Sequence, residues 1–229
     1  LFKDWTLFEK LWLAVFTAVN LSLFFAWDDT LLGLISSIAG MFCVVLVAKG
    51  KISNYYFGMI QASTYAYISY TYGLYGEAML NALFYFPVQF IGIYMWKRNK
   101  IRSKDSVVGE DVVVKRMTAK AWGVTLTAMI AATVLYAILL KTIGGRSVEL
   151  DSATNVLSIT AQILMLYRFA EQWLMWIAVN VLSIIMWLTV LISTGGNDYT
   201  ILVMWTAFLI NSIYGYINWV KMAKKQEVL

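Results

Sequence analysis

Eight apolar stretches follow one another along the 229-residue chain, each about as long as a helix needs to be to cross hydrocarbon, with only short polar breaks between them. They run roughly Glu9 to Trp27, Thr30 to Ala48, Asn54 to Tyr72, Gly76 to Trp96, Ala119 to Leu140, Ala153 to Phe169, Gln172 to Ser193 and Tyr199 to Val220. The breaks are Trp27-Asp28-Asp29, Lys49-Gly50-Lys51, Gly73 to Glu77, Gly144-Gly145-Arg146 and Thr194-Gly195-Gly196-Asn197-Asp198, groups that form turns or are costly in lipid. The least marked is Arg168 to Gln172. With 61% apolar and 14% charged residues, the chain carries more apolar surface than a water-facing core can hide. The expectation is an all-α membrane protein with eight transmembrane helices.

The basic residues orient it. If the spans alternate strictly from a cytoplasmic N-terminus, one side receives Lys3, Lys10, Lys49, Lys51, the block from Lys97 to Lys120, Arg168, Lys221, Lys224 and Lys225. Only Lys141 and Arg146 fall opposite, so sixteen of eighteen cations share a side and both termini are expected in the cytoplasm. The basic block, with Lys100, Arg102 and Lys104, is read as a solvated loop that sets orientation; binding anionic lipid is its second reading. The first segment lacks a small-residue cleavage site and is read as a helix, not a signal peptide.

Missing residue types exclude much chemistry. There is no histidine, and Cys43 is the only cysteine, so neither an imidazole base or ligand nor an internal disulfide is available. Ser183 or Ser158 without histidine or buried acid is poor material for an intramembrane enzyme. A retinal photoreceptor needs a lysine deep in its last helix, where this chain has Lys221 only at the end. No enzymatic activity, cofactor or metal is expected, and the basic residues serve topology, not nucleic acid.

Two motifs suggest duplication. Gly92-x3-Trp96 and Gly215-x3-Trp219 each close a span just before a lysine. Helices two to four and six to eight begin and end on the same sides, with helix five between them, which gives two parallel three-helix repeats in a 3+1+3 order and leaves the first helix outside. The divisions are 1–29 for the extra helix, 30–97 for the first repeat, 98–118 for the basic loop, 119–152 for the linker helix and external loop, 153–221 for the second repeat and 222–229 for the tail.

Polar residues form stripes at helical spacing: Asn81, Tyr85, Gln89, Gly92 and Trp96 on the fourth helix, and Trp173, Trp176, Asn180, Ser183 and Trp187 on the seventh. Nearest the midplane lie Ser37, Gly40, Gln61, Thr64, Tyr85, Gln89, Gln162, Asn180, Ser183 and Asn211. Singly, each reads equally as interhelical glue worth about 0.6 kcal/mol or as a ligand contact. As a set with Trp176 and Trp187 they describe a cavity of aromatic faces and neutral hydrogen-bonding groups. Trp5, Trp12, Trp27, Trp122 and Trp173 are assigned to an interfacial belt, and Trp96 and Trp219 to either belt or gate. Pro87 is expected to kink the fourth helix and shape the cavity. With no charge near the midplane, proton or sodium coupling lacks its usual carriers, and facilitated diffusion is expected. A cationic substrate is then held by ring faces, each contact worth about 0.5 to 2 kcal/mol, not by a counter-ion.

These residues resemble the PnuC family of bacterial vitamin transporters, relatives of the SWEET sugar carriers, over Thr30 to Lys225. The motifs are Asn81-x3-Tyr85-x-Pro87-x-Gln89-x2-Gly92-x3-Trp96, Trp173-x2-Trp176-x3-Asn180-x2-Ser183, and Asn211-x3-Gly215-x2-Asn218-Trp219. The resemblance implies nicotinamide riboside, a vitamin B3 form and NAD precursor, as substrate, with thiamine, riboflavin or a deoxynucleoside as alternatives. It also implies a SWEET-like core, homo-oligomers and in particular trimers, the bacterial inner membrane, and trapping by cytoplasmic phosphorylation. Carried over, substrate contacts fall at Gln89, Asn180, Asn211 and Trp176, supported by Gln61, Tyr85 and Trp187. Gate or packing roles fall at Asn81, Pro87, Gly92, Trp96, Ser183, Gly215, Asn218 and Trp219.

Overall fold

In the computed structural model of the chain, residues 5–26, 30–99, 112–142, 148–196 and 199–226 are described. Lys3, Trp27-Asp28-Asp29, Lys100, Arg102, Lys104, Gly144-Gly145-Arg146 and Asn197-Asp198 lie outside these residues. Each apolar stretch folds as a helix, because in lipid the backbone has only itself to bond to. The helices are α1 (Leu7–Ala26), α2 (Leu31–Ala48), α3 (Asn54–Thr71), α4 (Tyr75–Arg98), α5 (Ala119–Thr142), α6 (Val148–Leu166), α7 (Gln172–Thr194) and α8 (Tyr199–Gln226). All but α3 and α6 are long and apolar enough to cross a membrane, giving an all-α multi-pass membrane fold with six such helices among the described residues. Of these two, α3 buries Asn54, Tyr65 and Ser69 but leaves Ser63, Tyr67 and Tyr70 exposed, and α6 buries Ser158 and Gln162.

Helix α4 is not uniform. It runs α-helical over Tyr75–Met79, widens to a π-helix over Leu80–Tyr85, and resumes as α-helix over Phe86–Arg98. Phe86 N–H donates to the Asn81 carbonyl, five residues back. Pro87 explains the wide turn: it has no N–H, and its ring displaces the carbonyl four residues earlier. The proline itself faces outward and acts through the backbone.

Two turns at one end of the bundle match bond for bond. After α2, Gly50 N–H reaches the Val47 carbonyl at 2.9 Å and Lys51 N–H the Leu46 carbonyl at 2.9 Å. After α6, Arg168 N–H reaches Met165 O at 3.0 Å and Phe169 N–H reaches Leu164 O at 2.9 Å. Both are Schellman caps, with Gly50 at φ +66° and Arg168 at φ +65°. An arginine in this left-handed conformation is strained, and its Nε donates to the Val113 carbonyl at 2.9 Å, which helps hold it there. Burial pushes the Arg168 guanidinium below its ordinary pKa.

The same end anchors α1. Glu9 closes a capping box with Thr6, then accepts from Lys49 Nζ at 2.7 Å and from the Tyr214 hydroxyl at 2.9 Å. Lys49 also sits over the Trp5 ring, 5.6 Å from its centroid. Further along α1, Asn20 Oδ1 accepts from Ser37 of α2 at 2.8 Å. The extra helix is thus tied to α2 and α8 by buried polar contacts.

The distal part of the basic block is packed, contrary to the expectation of a solvated loop. Val112 and Val114 are buried against Trp96, Trp219 and Met222. Lys115 pairs with the α6–α7 turn through Lys115 N–H to Arg168 O at 2.8 Å and Ala170 N–H to Lys115 O at 2.9 Å. Arg116 Nε meets Glu171 at 2.7 Å. The apolar valines have nowhere else to escape water, so they form a strap across this end.

Candidate functional site: a central cavity

Six helices enclose one cavity, with about 880 Å³ of space outside the protein's atoms, including the part open to solvent. Helices α2, α3, α4, α6, α7 and α8 all contribute lining residues; α1 and α5 contribute none among the described residues.

Helix α4 supplies Glu77, Asn81, Tyr85 and Gln89. Steps of four residues on a regular α-helix overshoot a full turn by about 40° each, so three steps drift about 120° off a common face. The slower winding of the π segment removes much of that drift, so all four reach the same cavity. Asn81 Nδ2 donates to the Glu77 carbonyl at 2.9 Å and Gln89 Nε2 to the Tyr85 carbonyl at 2.8 Å. Gly58 of α3 leaves room for the Gln89 amide, which a Cβ there would strike.

Opposite stands α7, with Trp173, Trp176, Asn180 and Ser183. The Tyr85 and Trp176 rings face each other with centroids 6.2 Å apart. Asn180 Nδ2 donates to Ser212 Oγ of α8 at 2.9 Å. Gln61 and Tyr65 enter from α3, and Ser158 and Gln162 from α6. Gln162 Nε2 and Trp173 Nε1 are buried and make no hydrogen bond to protein, leaving two N–H donors for an occupant.

At the turn end the cavity is closed by aromatic rings packed edge-to-face and tilted against one another. Trp96 Nε1 donates to Met165 O at 3.2 Å, and Trp219 Nε1 to Val47 O at 2.9 Å; Val47 and Met165 themselves line the cavity. Tyr55, Trp96, Trp219 and Trp173 form a chain of rings with successive centroids 5.1, 6.1 and 6.0 Å apart. Tyr55 lies over Gly92 and Trp173 over Gly215, positions where a side chain would clash. Asn218 Nδ2 adds a bond to Ala48 O at 2.8 Å.

Of the residues singled out in the sequence, the cavity gathers Gln61, Asn81, Tyr85, Gln89, Trp176, Asn180 and Ser183. Trp187 and Asn211 stand behind the lining: Trp187 Nε1 donates to Tyr65 OH at 2.8 Å and Asn211 Nδ2 to Val44 O at 3.0 Å. Pro87 faces outward, and Gly92, Trp96, Gly215, Asn218 and Trp219 belong to the floor. Two belt assignments are corrected. Trp173 is only 2% exposed and lines the cavity, and Trp5 is buried beneath Lys49. The sequence reading also passed over Tyr65, Trp205, Phe208 and Glu77. Glu77 is the only charged residue among the described lining residues, so a counter-ion is present that midplane counting left out.

Among the described residues no cluster of His, Cys, Asp and Glu could hold a metal. A sequence profile of the family described as nicotinamide mononucleotide transporter matches residues 30–221. The chain belongs to this family. Family relatives include the nicotinamide riboside transporter PnuC of Neisseria mucosa, 42% identical over 227 residues, with 99% of this chain and 86% of that protein covered. Another is its namesake in Haemophilus influenzae, 41% identical over 223 residues, covering 97% and 94%. The fold agrees: a crystal structure of the vitamin B3 transporter PnuC superposes with a TM-score of 0.89 at 42% identity, covering 96% of this chain and 94% of that one. The family profile begins at α2, whereas the Neisseria relative aligns along nearly the whole chain, α1 included.

Proposed function

We propose that this chain carries nicotinamide riboside into bacteria across the inner membrane; its Neisseria and Haemophilus relatives are named as nicotinamide riboside transporters. The observation that carries the reading is the charge of the cavity. Its described lining has amides, hydroxyls, aromatic faces and one carboxylate, and no lysine or arginine. A phosphate dianion finds no partner there, while a pyridinium with a ribose finds rings for its cation and amides for its hydroxyls. The electrostatics therefore favour the riboside over the mononucleotide of the family description. In this reading the pyridinium ring packs against Trp176 and Tyr85, and the ribose is held by Gln89, Asn180 and Gln61, with Gln162 as an added donor. Trp187 and Asn211 hold lining residues in place.

All eight helices cross the bilayer, with both termini in the cytoplasm. Helices α2–α4 and α6–α8 form the two repeats, α5 the linker, and α1 an addition, with the divisions at 30–97, 98–118, 119–152 and 153–221. This SWEET-like 3+1+3 plan is supported by the matched Schellman turns after α2 and α6, by one aromatic-on-glycine contact inside each repeat, and by the Trp96 and Trp219 bonds, which do cross from one repeat to the other. Transport follows alternating access: the repeats rock, and the aromatic floor and strap open inward. No pumping ion is required, and cytoplasmic phosphorylation traps the product. The unburied outer face of α5 suits either lipid or neighbouring protomers of a trimer. Calorimetry on the purified protein with nicotinamide riboside, its mononucleotide, thiamine, riboflavin and a deoxynucleoside tests the substrate: heat with the riboside is expected, and silence with it while another compound binds overturns the reading.

A further inference from the structure

We propose that Glu77 is the carboxylate that selects cationic substrates, a role that rests on the substrate reading above. Glu77 sits in the first turn of α4, where the partial positive charge of the helix N-terminus favours an acid. It is half-buried and lines the same cavity as Tyr65 and Tyr85. Asn81, one turn on, holds the Glu77 carbonyl and fixes that turn. The π segment sets the face: without its slower winding, Glu77 and Gln89 would diverge around α4 instead of lining one cavity.

Position along the axis gives the carboxylate its task. Nineteen residues separate Glu77 from Trp96 in the floor, about 28 Å at the helical rise. Glu77 thus marks the end of the cavity away from the aromatic floor, where a substrate arriving from outside enters. Apolar walls, with Trp205, Leu80 and Phe208 among them, keep the local dielectric below that of water and strengthen the field of a single charge. A monocation is drawn in, a neutral nucleoside is treated indifferently and a phosphomonoester is repelled. The same residue therefore favours entry of the riboside and disfavours the return of its phosphorylated product.

The test uses the full chain in lipid nanodiscs, as wild type, Glu77→Gln and Glu77→Asp. The probes are nicotinamide riboside, its uncharged reduced form, thiamine as a second cation, and nicotinamide mononucleotide. Glu77→Gln is expected to weaken the riboside at least tenfold, to leave the reduced form within twofold, and to narrow the gap between riboside and mononucleotide. Glu77→Asp is expected to keep most of the preference. On wild-type protein, raising salt from low to high is expected to weaken the cation and not its neutral form, which needs no variant to fold. Equal riboside affinity in wild type and Glu77→Gln, or an equal loss of cation and neutral form, overturns the proposal. If wild type binds thiamine and ignores the riboside, the substrate reading fails, and the Glu77→Gln comparison decides the counter-ion on thiamine by the same tenfold criterion.

Discussion

Trp187 donates its indole N–H to the hydroxyl of Tyr65 at 2.8 Å, and of this buried pair only Tyr65 reaches the cavity. The bond joins α7 to α3 and fixes the tilt of a ring on which an aromatic substrate can rest. Trp187 is therefore a positioning residue.

Trp187→Phe keeps the apolar bulk and removes the donor. Losing one buried hydrogen bond costs about 1 kcal/mol, so riboside affinity is expected to fall about fivefold by calorimetry. Tyr65→Phe, which removes the other partner, is expected to give a similar loss, and the double variant little more than either alone. Additive losses would give Trp187 a contact of its own with substrate.

Glu9 and Lys49 are 2% and 7% exposed and 2.7 Å apart. Replacing Lys49 with Met leaves a buried carboxylate with hydrogen bonds but no cation, a change that typically costs about 3 kcal/mol or more. The thermal unfolding midpoint in detergent is expected to drop clearly. Adding Glu9→Gln to Lys49→Met is expected to recover part of the loss, because the uncompensated charge is gone.

A Cβ at Gly215 would lie 2.6 Å from the Trp173 ring, whereas at Gly123 it meets nothing within 4 Å. Gly215→Ala is expected to drive Trp173 toward the cavity, destabilise the fold by about 1 to 3 kcal/mol and lower riboside uptake. Gly123→Ala, on the exposed α5, is expected to leave uptake unchanged and to hold or raise stability, since glycine is a poor helix former.

Cys43 is the only cysteine, half-buried in the cavity wall, and reports on the floor without engineering. Trp96→Ala combined with Trp219→Ala removes both donors to the Met165 and Val47 carbonyls. Labelling of Cys43 by a membrane-impermeant thiol reagent added from the floor side is expected to speed up at least fivefold, and saturating riboside to slow it.

Charge placement also predicts energetics. The one carboxylate in the described lining lies in the first turn of α4, and Lys49 and Glu9 neutralise each other outside the lining. Initial riboside uptake by whole cells or proteoliposomes is expected to be unaffected when proton or sodium gradients are collapsed.

The amide and aromatic part of the site was legible in sequence because Asn81, Tyr85, Gln89, Trp176, Asn180 and Ser183 recur at helical spacing, and spacing is a property of one helix. Glu77 escaped because depth was counted on a regular helix from its end, where an acid in a first turn reads as a break between spans; the π segment that turns it inward is a response to Pro87. Trp173 was misplaced for a related reason. Near a helix end, belt and floor look alike until a second helix, here α8 with Gly215, arrives beneath the ring.

Apolar length and turn chemistry determined eight helices, since both are local and the bilayer leaves no other use for such stretches, although α6 begins at Val148 rather than Ala153 and α8 runs on to Gln226 rather than Val220. Whether a polar residue lines the cavity, props a lining residue or ties α1 to the bundle was decided only in three dimensions. Gln89, Asn211 and Asn20 are equally amide-bearing and equally buried, and what separates them is the neighbour across the helix interface: an open cavity, the Val44 carbonyl or the Ser37 hydroxyl. That neighbour is brought from a distant part of the chain, and no periodicity within one helix encodes it.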